Sequence, residues 1–166
     1  EDVKNRFSDL GVLYISANNE TVLRKEIAQR QLTFTPLFTT KPHVFLRRHH
    51  PLAHKKIITL DDLKPYARLN FLQGPYESEY YAEEILSTLP TDKIVRISDR
   101  ASVVNLLIGL DGYTVSSGIM PSYLQGDALI AVPLAVEETI TIGYIQLANQ
   151  PLSTLATLYV NALKNY

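Results

Sequence analysis

The sequence has no cysteine among its 166 residues. Disulfides, thiolate nucleophiles and cysteine-based zinc sites are therefore excluded for this chain. Long apolar runs are lacking too, since no stretch approaches the roughly 18 consecutive apolar residues of a membrane-spanning helix. The first residues, EDVKNRFSDLG, are polar and acidic and do not resemble a secretory signal. We expect a folded cytoplasmic protein without a membrane partner.

An excess of charge of one sign is also missing, because 16 Lys and Arg stand against 17 Asp and Glu. A domain that binds nucleic-acid phosphates usually carries a clear basic excess, so these residues are not expected to bind DNA by themselves. One basic cluster does occur between residues 39 and 63, without aromatic platforms or a helix-turn-helix pattern. We interpret it as a solvated face or a surface facing a partner domain. Its members are Lys41, Arg47, Arg48, Lys55 and Lys56.

Motifs for catalysis, cofactors and metals are absent from the sequence. There is no G-x-G-x-x-G and no G-x-x-x-x-G-K-[ST], and Ser116 and Ser117 do not lie in G-x-S-x-G. Glu137 and Glu138 would point to opposite faces of a strand, which makes them a poor acid pair. The four histidines have no acidic residue between Arg30 and Asp61 to complete a metal site. We expect no enzyme activity, no cofactor and no metal, and interpret His43, His49, His50 and His54 as turn and surface residues.

Hydrophobic periodicity predicts strands that alternate with helices along the chain. This alternation is typical of the α/β class with mainly parallel sheets covered by helices. Two extended runs bracket a self-sufficient middle section, which suggests two lobes joined by two strands with a cleft and a hinge. The predicted strands are 9–15, 32–38, 44–46, 68–72, 93–97, 112–116, 129–132 and 139–147; the predicted helices are 19–30, 59–63, 78–89, one that begins near 99, and one that begins near 153.

Several helix starts carry a capping residue. Asn19, Thr59 and Ser153 each precede a predicted helix and can accept a hydrogen bond from its first turn, and either Asp99 or Ser98 can do the same for the helix that begins near 99. The helix after Asp99 is apolar nearly all round, so we expect it to be buried. The last helix places one apolar face together, made of Leu155, Leu158, Tyr159, Ala162 and Leu163.

Two strand-to-helix loops, FLQGPYES and ISDRAS, carry polar side chains. In α/β sheets, ligands bind at the carboxyl ends of strands, near helix N-termini whose free N–H groups attract anions. Simple capping and turn chemistry explains the same residue types equally well. Both interpretations stay open for these residues, which are Gln73, Tyr76, Ser78, Asp99, Arg100 and Ser102.

The stretch HPLAHKKIITLDDLKPYARLNF (His50–Phe71) resembles the middle of the effector-binding domain of LysR-type transcriptional regulators. Three further stretches resemble the same family in the same order. They are SDLGVLYI, SDRASVVNLLIGLDGYTVSSGIMP, and LIAVPL together with the closing PLSTLATLYVNALKNY. The resemblance covers nearly the whole chain. It departs from the family at Asp111, where the family has glycine.

The resemblance implies an α/β fold of two Rossmann-like subdomains joined by two crossover strands, similar to type 2 periplasmic-binding proteins. Subdomain I would comprise 1–40 plus 135–166, and subdomain II would comprise 41–134. The hinge would lie at Thr39–Leu46 and Leu129–Leu134. By the same resemblance, Glu1 falls inside subdomain I, so the family's first strand and helix and its winged helix-turn-helix domain would lie outside these residues.

The function implied by the resemblance is sensing of a small molecule in the cleft between the lobes, without a cofactor. The effector would be an amino acid, a sulfur metabolite or another carboxylate, which Arg100 would bind bidentately unless it pairs with Asp99 or Glu138. The full-length protein would be a homodimer or tetramer that contacts DNA only through its N-terminal domain. The implied effector contacts are Ser16, Thr40, Gln73, Gly74, Tyr76, Asp99 and Arg100.

Two other classes of protein compete with this interpretation. The solute-binding protein of a transporter has the same fold and a different task, and an upstream secretion signal would favour it. An α/β enzyme would require a nucleophile paired with a base, and the sequence shows no such pair.

Overall fold

The computed structural model describes residues 1–72, 85–86, 89–119 and 127–164. These residues form eight strands and four helices, which confirms the α/β class; most of the helix predicted over 78–89 lies outside the described residues. The elements are β1 (Gly11–Ser16), α1 (Glu20–Gln29), β2 (Leu32–Thr40), β3 (His43–Arg47), α2 (Leu60–Leu63), β4 (Arg68–Phe71), β5 (Ile94–Ile97), α3 (Arg100–Gly109), β6 (Thr114–Ser116), β7 (Leu129–Pro133), β8 (Ile140–Leu147) and α4 (Thr154–Leu163). Within this part of the chain no helix is long and apolar enough to span a bilayer.

The chain forms two compact units and passes between them twice. The first unit comprises Glu1–Thr40 with Glu138–Tyr166, and the second comprises Lys41–Glu137. The correspondence of these units to the lobes 1–40 plus 135–166 and 41–134 stays a prediction, as does the hinge.

A three-stranded antiparallel sheet in the order β1-β8-β2 forms the centre of the first unit. Pro36 lies on β2, at the edge of this sheet, and the register shifts between Pro36 and Phe38. An edge strand and an irregular ladder both tolerate a residue without an N–H. The core on one side of the sheet consists of Val3, Ile15, Leu23, Ile27 and Leu32.

The second unit contains a three-stranded sheet in the order β6-β3-β7 and a two-stranded parallel sheet of β4 and β5. Its core consists of Phe45, Leu69, Ile97, Leu107 and Leu129. The prediction of mainly parallel sheets is wrong, because β3 pairs antiparallel with both β6 and β7. The chain enters this unit along β3 and leaves it along β7, so two neighbouring strands must run in opposite directions.

Three of the four predicted caps are confirmed. Thr59 accepts from the backbone of Asp62 and Asp62 accepts from the backbone of Thr59, a reciprocal capping box. Asp99 and Ser153 each accept from the backbone N–H three residues later. Asn19 precedes α1 but makes no side-chain cap. Its Oδ1 accepts instead from the backbone of Ser16 at 2.8 Å, so it closes the turn that follows β1.

The burial predicted for two helices needs correction. In α3 Leu107 is buried, but Ile108 is 45% exposed and Leu110, just after the helix, is 51% exposed, because the helix covers its sheet with one face only. In α4 the buried residues are Ala156 and Val160. The apolar face predicted from spacing is largely the exposed face of the helix, and Leu155 on this face is 77% exposed.

Candidate functional site

Two predicted contact residues of the first unit, Ser16 and Thr40, lie at the same end of one sheet. Ser16 is the last residue of β1 and Thr40 the last of β2, and both pair with Ile140, the first residue of β8. Because adjacent strands are about 4.8 Å apart, their Cα atoms are separated by about 10 Å. The fold thus brings together two hydroxyl groups that are distant in the sequence.

Further polar groups surround this end of the sheet. The Asn18 side-chain amide donates to both carboxylate oxygens of Glu138, at 3.3 and 3.4 Å. The hydroxyls of Thr39 and Thr141 are 3.1 Å apart. Ser16 itself is 6% exposed, and its backbone N–H is already bonded to Asn19.

The Ser16 and Thr40 hydroxyls and the Glu138 carboxylate lie near this end of the sheet and can hydrogen-bond a small polar ligand. The Thr39 and Thr141 hydroxyls are offset by one position and lie on the other face of the sheet. Sequence reasoning missed Asn18 and assigned Glu138 only to a possible pair with Arg100. Asn18 lies shortly after Ser16 and Glu138 shortly before Ile140. Only the pairing of β1 with β8 brings the Asn18 and Glu138 side chains within hydrogen-bond distance.

In the second unit, Asp99 follows β5 and caps α3. Its carboxylate accepts from the backbone N–H of Ser102 at 2.8 Å and from its hydroxyl at 2.7 Å. These hydrogen bonds, from the hydroxyl first, lower the pKa of Asp99. A charged cap of this kind already neutralises the helix N-terminus, so the geometry favours the capping interpretation of Asp99.

Four predicted contacts lie wholly or partly outside the described residues. Arg100 is the first residue of α3, and the position of its side chain lies outside what is described. Gln73, Gly74 and Tyr76 lie outside the described residues. Their roles stay predictions.

His50, in the histidine-rich segment, has structural contacts through both ring nitrogens. No group of three or more metal-binding side chains occurs in residues 1–72, 85–86, 89–119 and 127–164. His50 is 3% exposed, which corrects its interpretation as a surface residue. Its Nε2–H donates to the Asp111 carbonyl at 2.9 Å, and its Nδ1 accepts from Leu52 at 3.1 Å. Its ring centroid is 4.4 Å from that of Tyr66. Both nitrogens are thus used by the neutral ring, and burial lowers the pKa of His50.

Three cations of the basic cluster pair with carboxylates. Arg47 binds Asp111, the Arg48 guanidinium is 3.0 Å from Asp127, and the Lys55 ammonium is 2.6 Å from Asp62. The cluster therefore has little unbalanced positive charge at these positions, as expected of a solvated face.

Asp111 stands where the LysR-type domains that the sequence resembles have glycine. Its φ is +49°, in the left-handed region that glycine occupies at little cost. Its side chain compensates through the ion pair with Arg47, whose hydrogen bond lowers the pKa of Asp111.

We expect Asp111→Gly to leave the free energy of unfolding nearly unchanged, because the lost, partly exposed ion pair is offset by relieved backbone strain. Asp111→Ala loses the pair and keeps the strain, so we expect it to unfold at a lower urea concentration than Asp111→Gly. Urea unfolding of both variants measures the difference. Equal stabilities would contradict the role assigned to φ.

No protein-family model matches the sequence, and no curated protein matches it. Solved structures do match. The effector-binding domain of QuiR in complex with shikimate has a TM-score of 0.62 at 20% identity, covering 99% of this chain and 74% of that one. HinK, a LysR family transcriptional regulator from Pseudomonas aeruginosa, has a TM-score of 0.61 at 18% sequence identity, covering 99% of this chain and 54% of that one. The Synechocystis CcmR regulatory domain in complex with 2-PG has a TM-score of 0.62 at 16% sequence identity, covering 99% of this chain and 76% of that one.

The chain has the fold of LysR-type effector-binding domains. The predicted resemblance to type 2 periplasmic-binding proteins is thereby confirmed at the level of the fold. This chain spans about three quarters of the QuiR and CcmR domains and about half of HinK.

Proposed function

We propose that this chain is the effector-sensing domain of a LysR-type transcription regulator. The observation that carries the proposal is the fold shared over 99% of the chain with the effector-binding domain of QuiR, which is in complex with shikimate. The action proposed is linkage. An effector that binds one conformation more tightly than another shifts their populations, and the shift alters DNA binding in the full-length protein.

The proposed contacts of the first unit are Ser16 and Thr40. Their hydroxyls can donate and accept, and the Glu138 carboxylate beside them can accept from a hydroxyl or an ammonium group. For the second unit we propose Arg100, whose guanidinium suits a carboxylate, together with Gln73, Gly74, Tyr76 and Asp99. These groups suit a small polar metabolite such as an amino acid, a sulfur metabolite or another carboxylate.

The full-length protein is proposed to be a cytoplasmic homodimer or tetramer that contacts DNA through a separate winged helix-turn-helix domain. The solute-binding alternative gains no support, since the named neighbours are domains of regulators.

A thermal-shift screen tests the proposal. Amino acids, sulfur compounds and small carboxylates, with shikimate and 2-PG included, are added to the chain. A ligand that binds only the folded state stabilises it by about 2.7 kcal/mol at 100 times its Kd, which raises Tm by about 5–10 °C.

Thr40→Val keeps the side-chain shape and removes the hydroxyl, so we expect it to weaken a hit about tenfold. Arg100→Ala should weaken a carboxylate at least as much. Thr33→Val is the matched control, because Thr33 lies on the same strand and is exposed. A hit that keeps its affinity in both test variants would discard the proposed site, and no hit from the screen would leave the sensing role unsupported.

A further inference from the structure

A cavity of about 450 Å³ lies within the second unit. Its floor is buried, with each residue exposed by 5% or less, and apart from one guanidinium it is apolar or aromatic. The floor residues are Leu63, Arg68, Tyr113, Val115 and Leu134. Known small-molecule sites have volumes of about 300–1,000 Å³, mostly apolar walls and a few polar groups, and this cavity has the same character.

The cavity lies at the opposite end of the parallel sheet from Asp99. Arg68, the first residue of β4, pairs with Ile94, the first residue of β5, and forms a bridge to Tyr113. Asp92, which also lines the cavity, precedes β5. Strands of this length separate their two ends by about 10 Å. The cavity is therefore distinct from the contacts proposed at the start of α3.

The charges around the cavity balance. At the rim the Lys64 ammonium is 2.6 Å from Asp61, and that hydrogen bond raises the pKa of Lys64. Asp92 at the rim and Arg68 in the floor contribute one further charge of each sign. The lining thus sums to zero, and neither a cationic nor an anionic ligand is preferred. Leu60, 41% exposed, also lies at the rim, and Leu89, Pro90 and Thr91 are the remaining lining residues.

The floor favours an aromatic ligand. Two nitrogens of the Arg68 guanidinium donate to the carbonyls of Leu86 and Ile85, at 2.7 and 2.9 Å. These bonds fix the Arg68 side chain in the floor, where it is 2% exposed. Tyr113 adds an aromatic side chain to the same floor.

We propose that this cavity binds a neutral aromatic small molecule, as a ligand site separate from the effector contacts of the proposed function. The ring lies against Leu63, Tyr113 and Leu134, and the rim admits a polar substituent without requiring a charge. A ligand that binds this cavity only in the folded state stabilises that state.

Indole is the probe, compared with tryptamine and indole-3-acetate, which carry the same ring with a positive or a negative tail. We expect indole to bind the chain with a Kd below about 1 mM, as a ligand of its size can reach. Titration of ¹⁵N-labelled protein should shift the amides of Leu63, Tyr113, Val115 and Leu134. The charged probes should bind more weakly than indole.

Leu60→Trp places a larger side chain at the rim and should weaken indole about tenfold. Leu155→Trp is the matched control, since it makes the same change at an exposed leucine of the first unit. The proposal is overturned if indole does not bind at millimolar concentration, if Leu60→Trp leaves its affinity unchanged, or if the shifts centre on Ser16 and Thr40. A charged probe that binds as tightly as indole overturns the neutral ligand class. Because neither Thr40 nor Arg100 is involved, failure here is separate from failure of the effector screen.

Discussion

Replacing Arg68 with methionine is expected to lower the free energy of unfolding by about 3–5 kcal/mol. Arg68 is 2% exposed, and its guanidinium donates to the backbone carbonyls of Ile85 and Leu86. Methionine fills much of the volume but has no donor. The two buried carbonyls would lose these bonds, and each buried acceptor left unsatisfied costs about 1–3 kcal/mol.

Urea unfolding of Arg68→Met beside Arg48→Met measures this effect. The Arg48 side chain is 50% exposed and pairs with Asp127, whose side chain is 94% exposed. An exposed pair contributes little, so the control should lose less than about 1 kcal/mol. If both variants lost the same amount, the two carbonyl hydrogen bonds would not be the reason for burying a charge in this unit.

Arg68 also illustrates what the sequence alone could predict. The strand that it begins was predicted from the apolar residues around it. Its burial was not, because its partners are carbonyls 17 and 18 positions away whose location depends on tertiary packing. His50 is a similar case, since its Nε2–H is bonded to a carbonyl 61 positions away.

Local signals predicted the helix caps at Thr59, Asp99 and Ser153, although not at Asn19. The cap at Thr59 depends on Asp62 three positions later, and the cap at Asp99 on Ser102, so residues close in sequence decided both. The relative direction of neighbouring strands could not be predicted from local sequence. Whether β3 runs antiparallel to β7 depends on where the chain leaves the unit, about 80 residues later, and periodicity within a strand carries no information on its neighbour.

The candidate site combines both kinds of information. The resemblance to LysR-type domains proposed Ser16 and Thr40 separately, from stretches 24 positions apart. Both residues pair with Ile140 because of the sheet register, which is set by pairing with β8, a strand that begins at least 100 residues later. The prediction for Arg100 depends on the position of its side chain, which no sequence pattern supplies.

Replacing Gly143 with alanine is expected to lower the free energy of unfolding by about 3 kcal/mol or more. Gly143 lies in the middle of β8 and pairs with Leu13 on one side and Pro36 on the other. A Cβ at this position would overlap the Phe34 ring and the Thr35 carbonyl oxygen. The ring can rotate at some cost, but the carbonyl belongs to a backbone held by its ladder. Relief would require β2 to move away from the central strand of the sheet.

The control is the same substitution at Gly109, the last residue of α3, where an added Cβ meets nothing within 4 Å. Alanine has the higher helix propensity, so Gly109→Ala should be neutral or stabilising by up to about 1 kcal/mol. Thermal or urea unfolding of the two variants should therefore give effects of opposite direction from one chemical change. A stable Gly143→Ala variant would mean that β2 and β8 are less closely apposed than the structure has them. That result would also weaken the placement of Thr40 beside Ile140, because the same ladder fixes both positions.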